Sequence, residues 1–345
     1  MDTRVTLVEE PPSPETLAEA VRLLQQGEVV AAPTETVYGL AANALNEQAV
    51  AKIFSVKGRP TNNPIIVHVS SLAQAKELAK DWNETTDNLA RRFWPGPLTL
   101  VVNRQEKIPN LVTAGANSVA LRFPSHPVMQ SLIELAGFPL AAPSANSSGH
   151  ISPTRAEHVL HDLGGKIPLI LDAGACSGGI ESTVVDARQS PVRLLRPGGI
   201  SAAMLESVAG PVEFSFQNTT SSKPLLSPGL LEKHYAPRTT AYWIEENLDA
   251  VREECQLAGW KYGILAWEEI PGALSLGTQP EEYARGLYDA LHRLDAMGLD
   301  RILIIAPPAR PEWLAIRDRL RRAALNWESR AVPERKSNPY DGIGE

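Results

Sequence analysis

Only two cysteines occur in the 345 residues, Cys176 and Cys255, far apart and outside any Cys-x-x-Cys pair. This excludes a disulfide scaffold and a cysteine-rich zinc site, and it fits a reducing compartment. Aromatic residues make up 6% of the chain, and no apolar run approaches the roughly 20 residues needed to span a bilayer. The first residues, Met1-Asp2-Thr3-Arg4, lead into an acidic, proline-rich segment without the apolar core of a signal sequence. A soluble, cytoplasmic protein with no membrane contact is expected. Excess positive charge is lacking too: the formal net charge is -7 and the sequence pI about 5.6. Any RNA or DNA contact therefore needs a local basic patch.

Several chemical motifs are missing. The nearest approach to a Gly-x-x-x-x-Gly-Lys-Ser/Thr phosphate loop, Gly164-Gly165-Lys166-Ile167, lacks the hydroxyl. No Gly-x-Gly-x-x-Gly follows a strand, and neither His-Glu-x-x-His nor Gly-x-Ser-x-Gly occurs. A P-loop ATPase, a Rossmann dehydrogenase, a zincin and an α/β-hydrolase all lose support, and no metal-ligand set stands out.

What is present is an ordinary globular composition, 43% hydrophobic and 21% charged, in a chain long enough for two domains. Helical stripes alternate with short strands from Ser13 to about residue 205. Ser13-Pro14 starts a helix, Asn46 caps the next, and strands are expected at Val29 to Ala32, Ile65 to Val67, Leu98 to Val102, Ser118 to Phe123, Leu169 to Asp172 and Val184 to Asp186. Their polar, glycine- and proline-rich turns can converge on one rim of a twisted sheet. From about Phe214 the texture turns polar and serine-rich, a candidate linker that includes Ser227-Pro228-Gly229 and His234-Tyr235-Ala236-Pro237. A second αβ alternation starts near Thr240 and ends with a helix, Pro311 to Leu325, that carries arginines on its polar face. The resulting domain expectation is 13–205, a linker at 206–239, a second domain at 240–333 and a disordered tail at 334–345.

Lys57 to His68 concentrates the chemistry: two cations two residues apart, two carboxamides at Asn62 and Asn63, then an apolar strand closed by histidine. Two cations on such a loop suit a phosphate or carboxylate, though a solvated surface turn would look alike. Arg122 and Arg196 add cations near strand ends, and Thr36, Ser118, Ser144, Ser152 and Ser182 add hydroxyls. Each has a plain alternative: Arg122 as a snorkelling or ion-paired side chain, His68 as a core histidine, Ser144-Ala145-Asn146 as a turn, Tyr235 as a hydrophobic staple.

The ordered combination is more specific. Pro33-Thr34-Glu35-Thr36-Val37-Tyr38-Gly39-Leu40, Lys57-Gly58-Arg59-Pro60 with Asn63-Pro64, Trp94-Pro95-Gly96-Pro97, Ala142-Pro143-Ser144-Ala145-Asn146 with Ser152-Pro153-Thr154, Glu181-Ser182-Thr183-Val184 and Arg196-Pro197-Gly198 together closely resemble the YrdC-like family of threonylcarbamoyl-AMP synthases. The linker island followed by a second αβ domain resembles the long, two-domain form. The resemblance implies an α/β fold: a YrdC-like open twisted mixed sheet with flanking helices, joined by the linker to a smaller Rossmann-like α/β domain.

It also implies an activity. The family joins L-threonine, bicarbonate and ATP, with Mg²⁺ carried through ATP, into threonylcarbamoyl-adenylate and pyrophosphate. That product serves the tRNA threonylcarbamoyl-transfer machinery, which modifies the adenosine next to the anticodon, and a weak tRNA contact is conceivable. Carried over by motif, Thr36, His68, Arg122, the backbone at Ala142, and Ser182 would bind threonine. Arg59, Asn63, Ser118, Ser144, Asn146, Ser152, Arg196 and Tyr235 would bind ATP, while Lys57 and Arg59 would act on the developing phosphoryl charge. Departures include Ser118 for a usual threonine, Ala173 for a usual glycine, and Leu230-Leu231-Glu232 where a more basic, aromatic sequence is usual. The competing class is a non-catalytic RNA-binding module of the same fold, marked by salt-dependent RNA binding without threonine-dependent turnover. A carbamoyl transferase of metallocentre maturation would carry cysteine-rich zinc motifs, which are missing here.

Overall fold

The computed structural model describes residues 2–215 and 234–328. Ser227-Pro228-Gly229, the Leu230 to Glu232 departure and the 334–345 tail lie outside the described residues. Among the described residues eleven strands form the first sheet: β1 (Arg4–Leu7), β2 (Val30–Ala32), β3 (Gly39–Asn43), β4 (Ile66–His68), β5 (Leu98–Asn103), β6 (Ser118–Arg122), β7 (Leu140–Ala141), β8 (Leu169–Asp172), β9 (Thr183–Asp186), β10 (Val192–Arg196) and β11 (Val212–Phe214). Their order is β1-β8-β2-β3-β7-β4-β6-β5-β9-β10-β11, with parallel and antiparallel neighbours mixed.

Local chemistry sets the helix ends. Ser13 accepts from the Thr16 N–H ahead of helix Pro14–Gln25, whose Leu17, Ala20 and Leu24 are buried. Asn46 accepts from the Gln48 and Ala49 N–H groups, and helix Glu47–Lys57 stops at Gly58, where φ is 60°. That left-handed turn suits glycine and swings the chain toward Arg59.

The two faces of the sheet are covered differently. One carries the main core, in which Val67, Leu121, Ala141 and Val185 pack under helices such as Glu47–Lys57 and Glu84–Phe93. On the opposite face, helices Pro14–Gln25 and Pro127–Ala136 cover β2, β3, β7 and β8. The middle of that face is a small apolar floor of Ile66, Val101, Ala120, Val184 and Leu195.

Above this floor sit the linker island and the second domain. That domain is a parallel sheet of β12 (Ala241–Ile244), β13 (Tyr262–Ala266), β14 (Leu274–Ser275), β15 (Arg301–Ile305) and β16 (Leu325–Asn326), ordered β14-β13-β15-β12-β16. Its core also takes in Val37, Ile151 and Ile180 of the first domain and Tyr235 of the linker. Gly179, at φ 78°, seats this contact: a Cβ there would lie 2.3 Å from the Ala284 carbonyl oxygen. Only glycine lets the helix Pro280–Asp295 approach so closely.

The structure redraws two boundaries. The limit expected at 205 falls inside helix Ala202–Ala209, and β11 continues the first sheet to Phe214. β1 adds a strand before residue 13, paired in parallel with β8. Neither strand is enclosed on both faces, so neither shows the apolar pattern that marks the others. The expected helix Pro311 to Leu325 is shorter, a 3₁₀ turn at Pro311–Trp313 running into helix Leu314–Ala323.

Candidate active site

Over the apolar floor lies a cavity of about 50 Å³, walled by residues from β4, β6, the β2–β3 and β7 turns, the β9 and β10 ends, and the linker. It lies on a face of the sheet and not at a rim. Ile66 and His68, two residues apart on β4, both line it, as side chains on one face of a strand must.

Pairing of β4 with β6 sets His68 beside Arg122. Arg122 donates from Nη1 to Thr36 Oγ1 at 2.9 Å. Thr34 Oγ1 accepts from the Thr36 and Val37 N–H groups and donates to the Val37 carbonyl at 2.7 Å. Thr36 Oγ1 lies 2.9 Å from Thr34 Oγ1, so the turn holds in place the hydroxyl that accepts from Arg122. Arg122 Nη2 also lies 2.8 Å from Glu35 Oε1, an ion pair without hydrogen-bond alignment. Burial works to raise the Glu35 carboxyl, and the Arg122 charge outweighs it and holds the group low. His68 is pushed down to about 3 by burial, with Arg122 adding to it, so its ring is neutral; its Nδ1 is buried without a partner.

Helix Glu47–Lys57 delivers the cationic loop. Arg59 lines the cavity and grips its own loop, donating from Nε to Asn63 O at 3.1 Å and from Nη2 to Pro64 O at 2.7 Å. Burial lowers it to about 10, which leaves it cationic at neutral pH. Lys57 points elsewhere. Its ammonium donates to Ser144 O at 2.6 Å, to Asn146 O, and to Asn146 Oδ1 at 3.3 Å. It thus ties two motifs together, and burial, then the Arg59 charge, pulls it well below the usual lysine range.

On the far wall, Ser182 Oγ is 2.8 Å from Thr99 Oγ1 and accepts from Arg196 Nη2 at 3.1 Å. Arg196 Nε donates to the Ser182 carbonyl at 3.1 Å. Gly198 is required here, because a Cβ would stand 2.3 Å from Thr183 N and 2.7 Å from Glu181 O. Glu181 accepts from Ser152 Oγ at 2.6 Å, Tyr288 Oη at 2.9 Å and Arg319 Nε at 2.7 Å. Burial alone would raise its carboxyl; Arg319, then Arg196, holds it at about 2. Tyr235 closes the cavity from the linker at φ 63°, its ring 4.1 Å from that of His234.

All five residues expected around threonine, Thr36, His68, Arg122, Ala142 and Ser182, line this one cavity, together with Arg59, Ser144, Arg196 and Tyr235 of the nucleotide set. Lys57, Asn63, Asn146 and Ser152 stand behind its walls, and Ser118 lines a separate small cavity with Pro64. Thr34, Glu181 and His234 also line the site without having been singled out. Each belongs to a motif that was, so membership of the motif was the available signal. Among the described residues Glu181 is the only carboxylate in the cavity wall. Cys176 lies outside that wall with its thiol pushed up to about 12 by burial, which rules it out as a thiolate.

A family model described as telomere recombination matches residues 22–198, and one described as threonylcarbamoyl-AMP synthase, C-terminal domain, matches residues 200–325. The chain belongs to the threonylcarbamoyl-AMP synthase family. It has both domains of the long form. The Bacillus subtilis threonylcarbamoyl-AMP synthase is 42% identical over 320 residues, covering 89% of this chain and 92% of that protein. The Schizosaccharomyces pombe synthase is 36% identical, covering 93% of this chain and 91% of its own. The structure of Pyrococcus abyssi Sua5 complexed with L-threonine matches with a TM-score of 0.87 and 40% identity, over 93% of this chain and 97% of that one. Escherichia coli YciO, at 19% identity and a TM-score of 0.52, shares the fold over 58% of this chain. No helix among the described residues is long and apolar enough to cross a membrane.

Proposed function

We propose that this site joins L-threonine, bicarbonate and ATP into threonylcarbamoyl-AMP and pyrophosphate. Family membership supports the reaction, and one geometric observation supports its location: the register that sets His68 beside Arg122, on a face where Arg59 and Arg196 also line the cavity. Arg122 holds the threonine carboxylate bidentately while Thr36 keeps the fork aimed. Neutral His68 and Ser182 serve the polar groups of threonine, and the Ala142 backbone bounds it.

The threonine amine and bicarbonate condense to a carbamate with loss of water. A carbamate oxygen attacks the α-phosphorus, the bond from that phosphorus to the bridging oxygen breaks, and pyrophosphate leaves. Arg59 and Arg196 stabilise the charge that develops on the phosphoryl oxygens. Lys57 acts through the Ser144–Asn146 loop it holds. Both side-chain atoms of Asn63 are fully buried without partners, which supports a nucleotide contact there. Ser118 lies four residues up β6 from Arg122, roughly 13 Å at about 3.3 Å per residue, a fitting reach for the nucleoside end of ATP. Among the described residues the only carboxylate in the wall, Glu181, already accepts from three side chains, so Mg²⁺ would be held by the phosphates of ATP and come with the substrate.

A cavity of about 50 Å³ is far below the roughly 300–1,000 Å³ of a small-molecule pocket. Tyr235 and His234 therefore move for substrate to enter, and then shield a carbamate that loses CO₂ readily. A Tyr235→Ala variant with parental turnover and ATP affinity would sink this lid. We place the reaction in the cytoplasm, upstream of the tRNA threonylcarbamoyl-transfer machinery. The deciding assay is pyrophosphate release with threonine, bicarbonate and ATP omitted in turn. Release that does not depend on threonine would overturn the proposal.

A further inference from the structure

A fully buried arginine is costly unless its donors are matched, and Arg319 has no exposed surface. Its helix, Leu314–Ala323, belongs to the second domain, yet apart from the adjacent Asp318, 2.8 Å away, its described partners lie in the first domain or the linker. Nε donates to Glu181 Oε2 at 2.7 Å, and Nη2 to Pro197 O at 2.9 Å, with Glu181 O at 3.5 Å. Those atoms sit next in sequence to Ser182 and Arg196, which line the cavity and bond each other. The Tyr235 ring lies 5.4 Å from the guanidinium carbon and 5.8 Å from the Tyr288 ring, while the His234 N–H donates to Arg322 O one turn along.

We infer that Arg319 is a positioning residue for the reaction, fixing from the second domain both the turns that carry Ser182 and Arg196 and the surface on which Tyr235 closes. This rests on the function proposed above. Two features separate it from a mere domain clamp. The interface has other ties away from the cavity, notably Arg155 Nε to Asp289 Oδ1 at 2.9 Å and Arg285 Nε to Ser177 O at 3.0 Å. Arg319, by contrast, touches the wall and the lid of the cavity at once. A planar fork meets that geometry: two donors in one plane toward Glu181 and Pro197, with its charge over the Tyr235 ring. Tyr288, donating to the same carboxylate, supports it. The second domain thereby becomes a working part of the site.

The test is steady-state pyrophosphate release by the full chain, with threonine and ATP varied separately below the thermal midpoint. Arg319→Lys keeps the buried charge but loses the fork. The expected result is a kcat lower by about ten- to hundredfold, since a displacement near 1 Å costs on that order, with a raised threonine KM. Tyr288→Phe, which removes one donor and little volume, gives a smaller loss in the same direction and remains readable if Arg319→Lys fails to fold. Arg155→Ala breaks an interface tie outside the site and keeps the parental kcat. Parental kcat and KM in Tyr288→Phe or in folded Arg319→Lys overturns the inference. So does an equal loss in Arg155→Ala, which would make the effect one of domain seating. A parental protein without threonine-dependent release overturns the proposed function instead.

Discussion

Replacing Arg122 by methionine separates its two roles. With side chains 4% and 11% exposed, Arg122 and Glu35 form a buried pair, and removing one member of such a pair costs about 3–5 kcal/mol because the other charge is left uncompensated. Glu35 has an escape. Its carboxyl is held low chiefly by Arg122 against burial, with smaller help from backbone hydrogen bonds; without the guanidinium, burial is the largest influence left and favours taking up a proton. In the parent the depressed group contributes stability above its ordinary value of 4.5, lost as pH falls. In the variant the raised group destabilises at high pH and less so as it protonates. The gap in thermal midpoint between the two proteins should therefore narrow from pH 8 to pH 5.

Binding responds differently. Charge-assisted hydrogen bonds contribute about 1.5–3 kcal/mol each. A net loss of about 3 kcal/mol raises the threonine KM by roughly two decades, with ATP dependence nearly unchanged. The double variant Arg122→Met/Glu35→Gln removes the orphaned charge, so melting should return toward the parent while threonine use stays impaired. Pyrophosphate release at varied threonine and saturating ATP, with thermal melts beside it, reads both. A double variant with parental threonine KM would refute the reasoning and leave Arg122 as a structural partner of Glu35.

Arg59→Ala should chiefly damage ATP use and His68→Ala chiefly threonine use; if separate titrations show both variants losing the same substrate, the assignment of the two ends is wrong. His68 and His234 are each held at about 3 by burial, so the unfolded chain binds more protons than the folded one below pH 6.5. Stability should fall as pH drops from 6.5 toward 3, by up to about 1.4 kcal/mol per pH unit for each group, and melts of His68→Gln should show a shallower slope. Gly58→Ala meets nothing within 4 Å and should cost only about 1–2 kcal/mol of left-handed strain. Gly179→Ala at φ 78° would set a Cβ 2.3 Å from Ala284 O, so it should unseat the second domain and expose the interface to limited proteolysis; equal protease sensitivity in the two variants would contradict that.

Much of this architecture was legible because burial leaves a period. Strand Leu169–Asp172 begins and ends where its apolar pattern says it should, and helix Pro14–Gln25 starts at the Ser13 cap. β3 was not: Gly39–Asn43 has no β-branched residue, and it is a strand because β2 and β7 flank it. The arginines of the last helix read as a polar face, yet Arg319 and Arg322 are buried. Besides the adjacent Asp318, the acid that pairs with Arg319 is Glu181, 138 residues away, and no local pattern marks it. Sequence alone therefore left the role of the second domain open.

His68 shows the same limit at the centre of the site. Ile65-Ile66-Val67 is an unbroken apolar run, and such a run does not say which residues face which side. The strand is Ile66–His68, one residue later than the run suggests. Val67 pairs with Ala141 and Leu121 in the main core, while Ile66 and His68 turn to the cavity beside Ala142 and Arg122. A slip of one residue would bury the imidazole in the main core and aim Val67 at the ligand, since side chains alternate with a period of two. Two neighbouring strands prevent it, β6 through the pairing of His68 with Arg122 and β7 through the bond from Ala142 N to Ile66 O at 3.1 Å. The chemistry of this loop is thus set by its neighbours in the sheet as much as by its own residues.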